Sequence, residues 1–327
     1  MTVISYRRMT SNWYANPTVN WTMPDIWRGI SLLPIDSTET AEGESSDRPY
    51  GSNRNGRRLP GREARRTWPP SASDRQRSRQ SAATAAVGPG YHPGRYGQAR
   101  DSRSCALKGA TRLFLLSPDL PGEEKFEAES NVIEAAADAG VSHVVYLSVA
   151  GADVGDTVFA RWHGRTERAL ARTPMSWTFL RPNGFMSNIV GPSGLTRQEE
   201  TLALPAGEGR VSVVHPGDIA AVAASALTDP QHEHRAYLLT GPKALTFREQ
   251  AAQLSALLGR VVSYVDLPEE AARESILASG TPALVADALL DFYRHVRAGN
   301  CAQVSDDIEK VTGSPARSFT EFIQELL

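Results

Sequence analysis

The sequence predicts an α/β protein built on a doubly wound parallel sheet. Two observations carry that reading. From residue 106 onward, short runs that are apolar on both faces alternate with stretches of helical periodicity, joined by short links. Ahead of them stand about a hundred residues of quite different composition. The 327 residues carry a net charge of −2, which hides an asymmetry. Residues 1–105 contain 16 arginines, no lysine and 9 acids, whereas residues 106–327 contain 19 basic and 28 acidic groups.

The elements of the second part follow in order. Residues 112–117 (RLFLLS) form a short apolar run bounded by Pro118, a buried parallel strand. A helix is predicted over 122–139, with an apolar stripe of Phe126, Val132, Ile133, Ala136 and Ala137. Its acids Glu123, Glu124, Glu127 and Glu129 gather toward the N-terminal end, where the helix dipole favours them, and Gly140 stops it. A strand over 141–148, a helix over 158–172 and a strand over 176–181 continue the alternation. Then come a strand at 211–214, a helix over 219–227 with Asp218 as cap or first-turn acid, and a strand over 235–240. Thr246 opens a helix that Gly259 closes, and 261–265 is a strand. Residues 268–279 and 282–298 form a helical hairpin broken at Gly280-Thr281-Pro282, and 318–327 is a closing amphipathic helix.

Residues 1–51 hold scattered aromatics without periodicity. Residues 52–105 hold 12 arginines against 3 acids among many Gly, Pro and Ser, too little apolar surface to offset chain entropy. The sequence therefore predicts disorder for 1–105. Three origins compete: an Arg-rich nucleic-acid-binding arm, a plain tail, and an out-of-frame translation of an ordinary domain. The last is favoured, which argues against nucleic acid as a partner. Arginine without lysine, mixed with Pro, Gly, Ser and Ala, is what a wrong reading of a GC-rich gene yields. The residues Ser52 to Arg57 can be encoded so that a one-base shift reads Ala-Thr-Gly-Thr-Val-Gly. The same shift lets residues 87–96 read Val-Gln-Asp-Ile-Thr-Pro-Asp-Asp.

Cys105 and Cys301 match no metal or redox spacing and read as two unpaired thiols. No stretch is long and apolar enough to span a membrane, and the N-terminus lacks the apolar core of a signal peptide. The expectation is a soluble, cytoplasmic protein without a membrane partner.

Chemistry is expected where strands end, because open parallel sheets bind ligands beyond their strands' carboxyl ends. Ser117-Pro118 and Ser148-Val149 are two such ends; each could equally be a plain strand-to-loop transition. His163 and Glu167, four apart, share a helix face. They read either as an exposed ionic pair or as a proton-handling histidine beside a ligand. No third ligand accompanies them, so no metal site is predicted. In Leu180-Arg181-Pro182-Asn183-Gly184-Phe185-Met186, the proline forces an extended exit. Asn183 can offer donor and acceptor to an amide, with Phe185 and Met186 as an apolar wall. The competing reading is a structural turn with a core phenylalanine.

Together, RLFLLSP, NVIEAAADAGVSHVVYLSVAGAD, WHGRTERAL, WTFLRPNGFMSN, HPGDIAAVAASALTD and YLLTGPKALTFREQAAQLSALLGR resemble the NmrA-like family, a branch of the atypical short-chain dehydrogenase/reductases. The helical hairpin at Gly280–Pro282 and the closing DDIEKVTGSPARSFTEFIQE extend the resemblance to the end of the chain. It implies a Rossmann domain with a small, mostly helical C-terminal lobe, at about 190–210 and 241–327. It implies NADP or NAD as cofactor, with the choice open, as is the oligomeric state. The implied partner is a small-molecule substrate, a quinoid, azo or other electrophilic acceptor; some members instead sense the dinucleotide without turnover. Carried over by position, Leu116, Ser117 and Pro118 would lie near the adenosine or ribose. Ser148 and Val149 would lie beside the nicotinamide ribose, and Asn183 and Phe185 beside nicotinamide and substrate. Two features depart from the family. The Tyr-x-x-x-Lys dyad of classical reductases is absent, with His163 and Glu167 at its spacing, and residues 1–105 contain no G-x-x-G-x-x-G loop after a strand. Impaired cofactor binding is the expected consequence.

Overall fold

The computed structural model describes residues 2–4, 107–117, 120–189 and 200–326. The chain divides into two units, Met1–Leu33 with Ala83–Leu327, and Pro34–Ala82; every described residue belongs to the first. Residues 5–106, which include the arginine-rich segment expected to be disordered and out of frame, lie outside the described residues.

The main sheet contains β1 (Thr2–Ile4), β2 (Arg112–Leu115), β3 (His143–Leu147), β4 (Ser176–Pro182) and β7 (Arg235–Leu239), in that spatial order and all parallel. The three strands expected near 112, 142 and 176 are adjacent and parallel, as the sequence predicts. Period-two alternation explains the layering. Leu113, Leu115, Val144, Tyr146 and Phe179 face one way and pack on Ile133, Ala136 and Leu170. Those three belong to helices α1 (Gly122–Asp138) and α2 (Val158–Leu170). Phe114, Val145, Leu147, Leu180 and Leu239 face the other way and pack on Ile219, Val222 and Ala226 of α3 (Pro216–Thr228). Helices thus cover both faces, which is why these strands read as continuous apolar runs.

Local chemistry sets the helix starts. Thr157 caps α2, its hydroxyl accepting from Ala160 N at 3.1 Å. Helix α3 begins three residues earlier than expected: His215 is its cap, with Nδ1 accepting from Gly217 N, and Pro216 stands in the first turn, where its missing N–H costs nothing. Asp218 is the first-turn acid.

The lobe gathers β5 (Thr201–Leu204), β6 (Arg210–Val211), β8 (Leu245–Thr246), α4 (Phe247–Leu258) and β9 (Ser263–Asp266). The hairpin α5 (Glu269–Ala278) and α6 (Ala283–Arg297) follows; next α7 (Asp307–Thr312) returns to the sheet, where Ile308 packs with Ile219 and Leu239, and α8 (Phe319–Leu326) closes the lobe. Strand β5 pairs with β9 in parallel, and β6 pairs with β8 antiparallel. Thr246 and Glu249 form a reciprocal capping box on α4, and Gly259 at φ 65° ends it. The strand expected over 211–214 is only Arg210–Val211; Val214 instead bridges Phe185. The strand expected from Val261 starts at Ser263, because Val261 is left exposed.

Candidate functional site

The carboxyl ends of β2, β3 and β4 converge with helix α2. Their ladder runs past the strands: Ser148 N donates to Leu180 O at 2.8 Å, and Ala150 N to Pro182 O at 2.9 Å. The turn beyond Ser148 needs glycine at 151, where φ is +79° and a Cβ would lie 2.3 Å from Asp156 Oδ1. Gly164 lets α2 lie directly on this turn; a Cβ there would meet Ala152 O at 2.1 Å.

His163 and Glu167 do not pair with each other; each reaches a different strand. Glu167 is buried, accepts from Ser148 Oγ at 2.6 Å and holds Arg181 in a bidentate pair at 3.0 and 2.7 Å. The same guanidinium reaches Asp153 at 3.0 Å. Burial opposes the Arg181 charge, but Glu167 and Asp153 outweigh it and hold its pKa above the ordinary value. Ser148 is thereby fixed at the end of β3, with its hydroxyl hydrogen engaged by Glu167. Half-buried His163 places Nδ1 2.8 Å from the hydroxyl of Tyr146, and its Nε2 has no hydrogen-bond partner among the described residues. Burial first, then the charge of Lys125, holds the His163 pKa well below 6.5, so the ring is neutral at neutral pH.

Behind Tyr146 lies a closed polar cluster. Glu129, 1% exposed, accepts from Ser117 Oγ (2.5 Å), Lys125 Nζ (2.8 Å), Thr166 Oγ1 (2.6 Å) and the Tyr146 hydroxyl (3.1 and 3.2 Å). Lys125 also donates to Ser117. Ser117 is therefore part of this cluster, with its hydroxyl committed there.

Two residues expected at the pocket have structural surroundings. Asn183 Nδ2 donates to Ser212 Oγ and Cys301 O, both at 2.9 Å, and its Oδ1 accepts from Gly184 N. It fastens the end of β4 to the lobe. Met186 is 1% exposed among Leu202, Val213 and Phe319, a core residue rather than a pocket wall. Leu116, Val149 and Phe185 remain half-buried at strand ends. Pro118 lies outside the described residues. Sequence reasoning missed Tyr146, Thr166, Lys125 and Asp153, and took Glu129 for a dipole-facing acid. The one available signal was the four-residue spacing of Lys125 and Glu129 on a helix otherwise rich in exposed acids.

Concavities of about 600 Å³ (Arg210, Lys243, Leu245, Glu249, Gln253) and 730 Å³ (Arg248, Gly259, Val262, Tyr264) open on the lobe. Neither touches His163 or Ser148. Both are shallow surfaces around α4, so the strand ends remain the better candidate site.

Fold and strand-end residues together define a doubly wound α/β protein of the dinucleotide-binding kind, a class that binds ligands beyond the carboxyl ends of parallel strands. The profile of the NmrA-like family matches residues 68–324, and the chain belongs to that family. An NAD(P)H azoreductase from Xenophilus azovorans is 39% identical over 229 residues, 69% of this chain and 79% of the relative. Quinone oxidoreductase 2 of Escherichia coli is 29% identical over 221 residues, 68% and 77% of the two chains. Among solved structures, the NADPH complex of an Escherichia coli NADPH-dependent quinone oxidoreductase superposes with a TM-score of 0.64 at 27% identity. That match covers 78% of this chain and 87% of the other.

The residues present fit part of a dinucleotide. Half-buried Leu116, Val149 and Phe185 at strand ends suit a flat ring, with His163 Nε2 as a polar contact. The residues after β1, where such a fold approaches a pyrophosphate, lie outside the described ones. The sequence there reads Ser5-Tyr6-Arg7-Arg8, and the first glycine of the chain is Gly29. Among the described residues no helix is long and apolar enough to cross a membrane.

Proposed function

We propose that this chain is an NAD(P)H-dependent oxidoreductase acting on a small quinoid, azo or other electrophilic acceptor, with weakened hold on its cofactor. The observation that carries the reading is the strand-end constellation of Ser148, Glu167, Arg181 and His163 in a chain of the NmrA-like family. The names of its relatives, an azoreductase and a quinone oxidoreductase, support the acceptor class. A reduced nicotinamide, when bound, supplies hydride. The chain's own residues do the rest. The Glu167–Arg181 pair fixes the turn after β3 through Ser148 and Asp153. Leu116, Val149 and Phe185 exclude water from one face of a ring, and His163 is the polar group that meets the reacting molecule. The weak hold follows from the residues after β1.

NADPH and NADH are titrated separately while tryptophan emission is followed, and their oxidation is then measured across quinones and azo dyes. Weak binding of one or both with acceptor-dependent oxidation is expected. Binding with no oxidation by any acceptor would replace the enzyme with a dinucleotide-sensing regulator. No binding would mean that the site is lost.

A further inference from the structure

The polar cluster between α1, β3 and α2 joins Ser117, Lys125, Thr166 and Tyr146 around Glu129, and the Tyr146 hydroxyl carries it to His163. A carboxylate accepts and does not donate. Glu129, paired with Lys125 at 2.8 Å, therefore leaves the Tyr146 hydroxyl one role toward it: the O–H points at Glu129. With that proton spent, the 2.8 Å contact between Tyr146 Oη and His163 Nδ1 needs its hydrogen from the histidine.

We propose that Lys125, Glu129 and Tyr146 form a relay that holds His163 as its Nδ1-protonated tautomer, so that Nε2 offers a lone pair and receives an O–H or N–H of the bound molecule. This rests on the reductase reading above only for the identity of that molecule. Which imidazole nitrogen carries the proton is set by the bond the other makes, and here Tyr146 makes it. Every other strong acceptor near the ring is taken. Glu129 is saturated by four donor groups, and Glu167 on the same helix is held by Ser148 and Arg181. Burial and Lys125 keep the ring from taking a second proton. A quinone or azo group, which only accepts, gains nothing at Nε2, so what His163 holds is the carboxamide N–H of a nicotinamide or the O–H or N–H of the reduced acceptor. A ligand with a hydroxyl or N–H is held. Tyr146 and Glu129 are positioning residues, since neither touches the ligand.

The test is a long-range ¹H–¹⁵N correlation spectrum of the full chain with ¹⁵N-labelled histidine near pH 7. His163 is assigned by the set of signals lost in His163→Gln. The expected result is a protonated Nδ1 and an unprotonated Nε2. Tyr146→Phe keeps the ring volume and removes the acceptor for Nδ1–H, so the proton should move predominantly to Nε2. Hydroquinone should shift the wild-type Nε2 resonance, and 1,4-dimethoxybenzene, which has no O–H, should not. An Nε2-protonated or cationic ring in the wild type overturns the proposal, and so does an unchanged tautomer in Tyr146→Phe. If the phenylalanine variant does not fold, the wild-type tautomer still decides. The readout needs neither cofactor nor turnover, so failure of the reductase reading leaves it intact and separately visible.

Discussion

Replacing Arg181 with methionine isolates the Glu167 charge. The Glu167 side chain is 5% exposed and that of Arg181 18%. Without the guanidinium, the carboxylate keeps a single neutral donor, Ser148 at 2.6 Å. Breaking a buried pair from one side strands a charge, and about 3 kcal/mol is expected here, the lower end of the usual range because Arg181 is partly open to water. For a domain of this size that is a fall in Tm of about 6–12 °C. Glu167→Gln is milder: Arg181 keeps Asp153 at 3.0 Å, and the amide oxygen still accepts from Ser148. Its cost is about 1 kcal/mol. Independent sites would add to about 4 kcal/mol, but a neutral amide at position 167 does not need a cation, so the double variant should lose only about 2 kcal/mol. Urea unfolding of the wild type and the three variants measures this. A double variant whose loss equals the sum of the two single losses would refute the claim that Arg181 serves chiefly to compensate Glu167.

Other outcomes are equally specific. Burial lowers the His143 pKa from 6.5 to about 4, so the folded state resists a proton that the unfolded chain accepts. Stability should be full above about pH 6.5 and fall as pH drops toward 4; denaturant midpoints against pH check this, and His143→Asn should flatten that part of the curve. Thr246→Ala removes half of the capping box of α4 and should cost about 1 kcal/mol, with Thr246→Ser nearly neutral, read from thermal unfolding. Burial pushes the Cys301 thiol up to about 12, so Cys301 should react with a disulfide reagent only upon unfolding; prompt labelling of native protein at that residue would contradict its placement. The nucleotide sequence across codons 45–110 should encode a glycine-rich strand-turn-helix in another frame, and its absence there would end the out-of-frame account.

The parallel strands were legible because burial on both faces leaves a run with no polar interruption. The limits of that signal show at the lobe. Thr201–Leu204 was missed as a strand, since four residues pairing with a segment 62 positions away leave no local trace. Helix α7 was missed because six residues hold too few turns for periodicity to register. At the site, the types of His163, Ser148 and Asn183 were informative but their partners were not. Asn183 chose Ser212 and Cys301, which only the folded chain brings within 3 Å. Tyr146 was hidden inside an apolar strand, where nothing but its hydroxyl distinguishes it from its neighbours.

The interleaving of the lobe matters for anyone who would re-engineer this scaffold. One strand of the β5–β9 pair precedes α3 and β7 in the chain, and the other follows them. Met186 and Ile189 join the same apolar cluster from the exit of β4. A chimera made at one crossover between the sheet and the last hundred residues would therefore carry mismatched halves of a single core. Exchange of the lobe by recombination needs three splice points, after Pro182, after Val214 and after β7, so that residues 183–214 travel together with the C-terminal segment. During synthesis on the ribosome, Thr201–Leu204 must likewise wait some sixty residues for its partner strand, so the sheet can be assembled before the lobe closes.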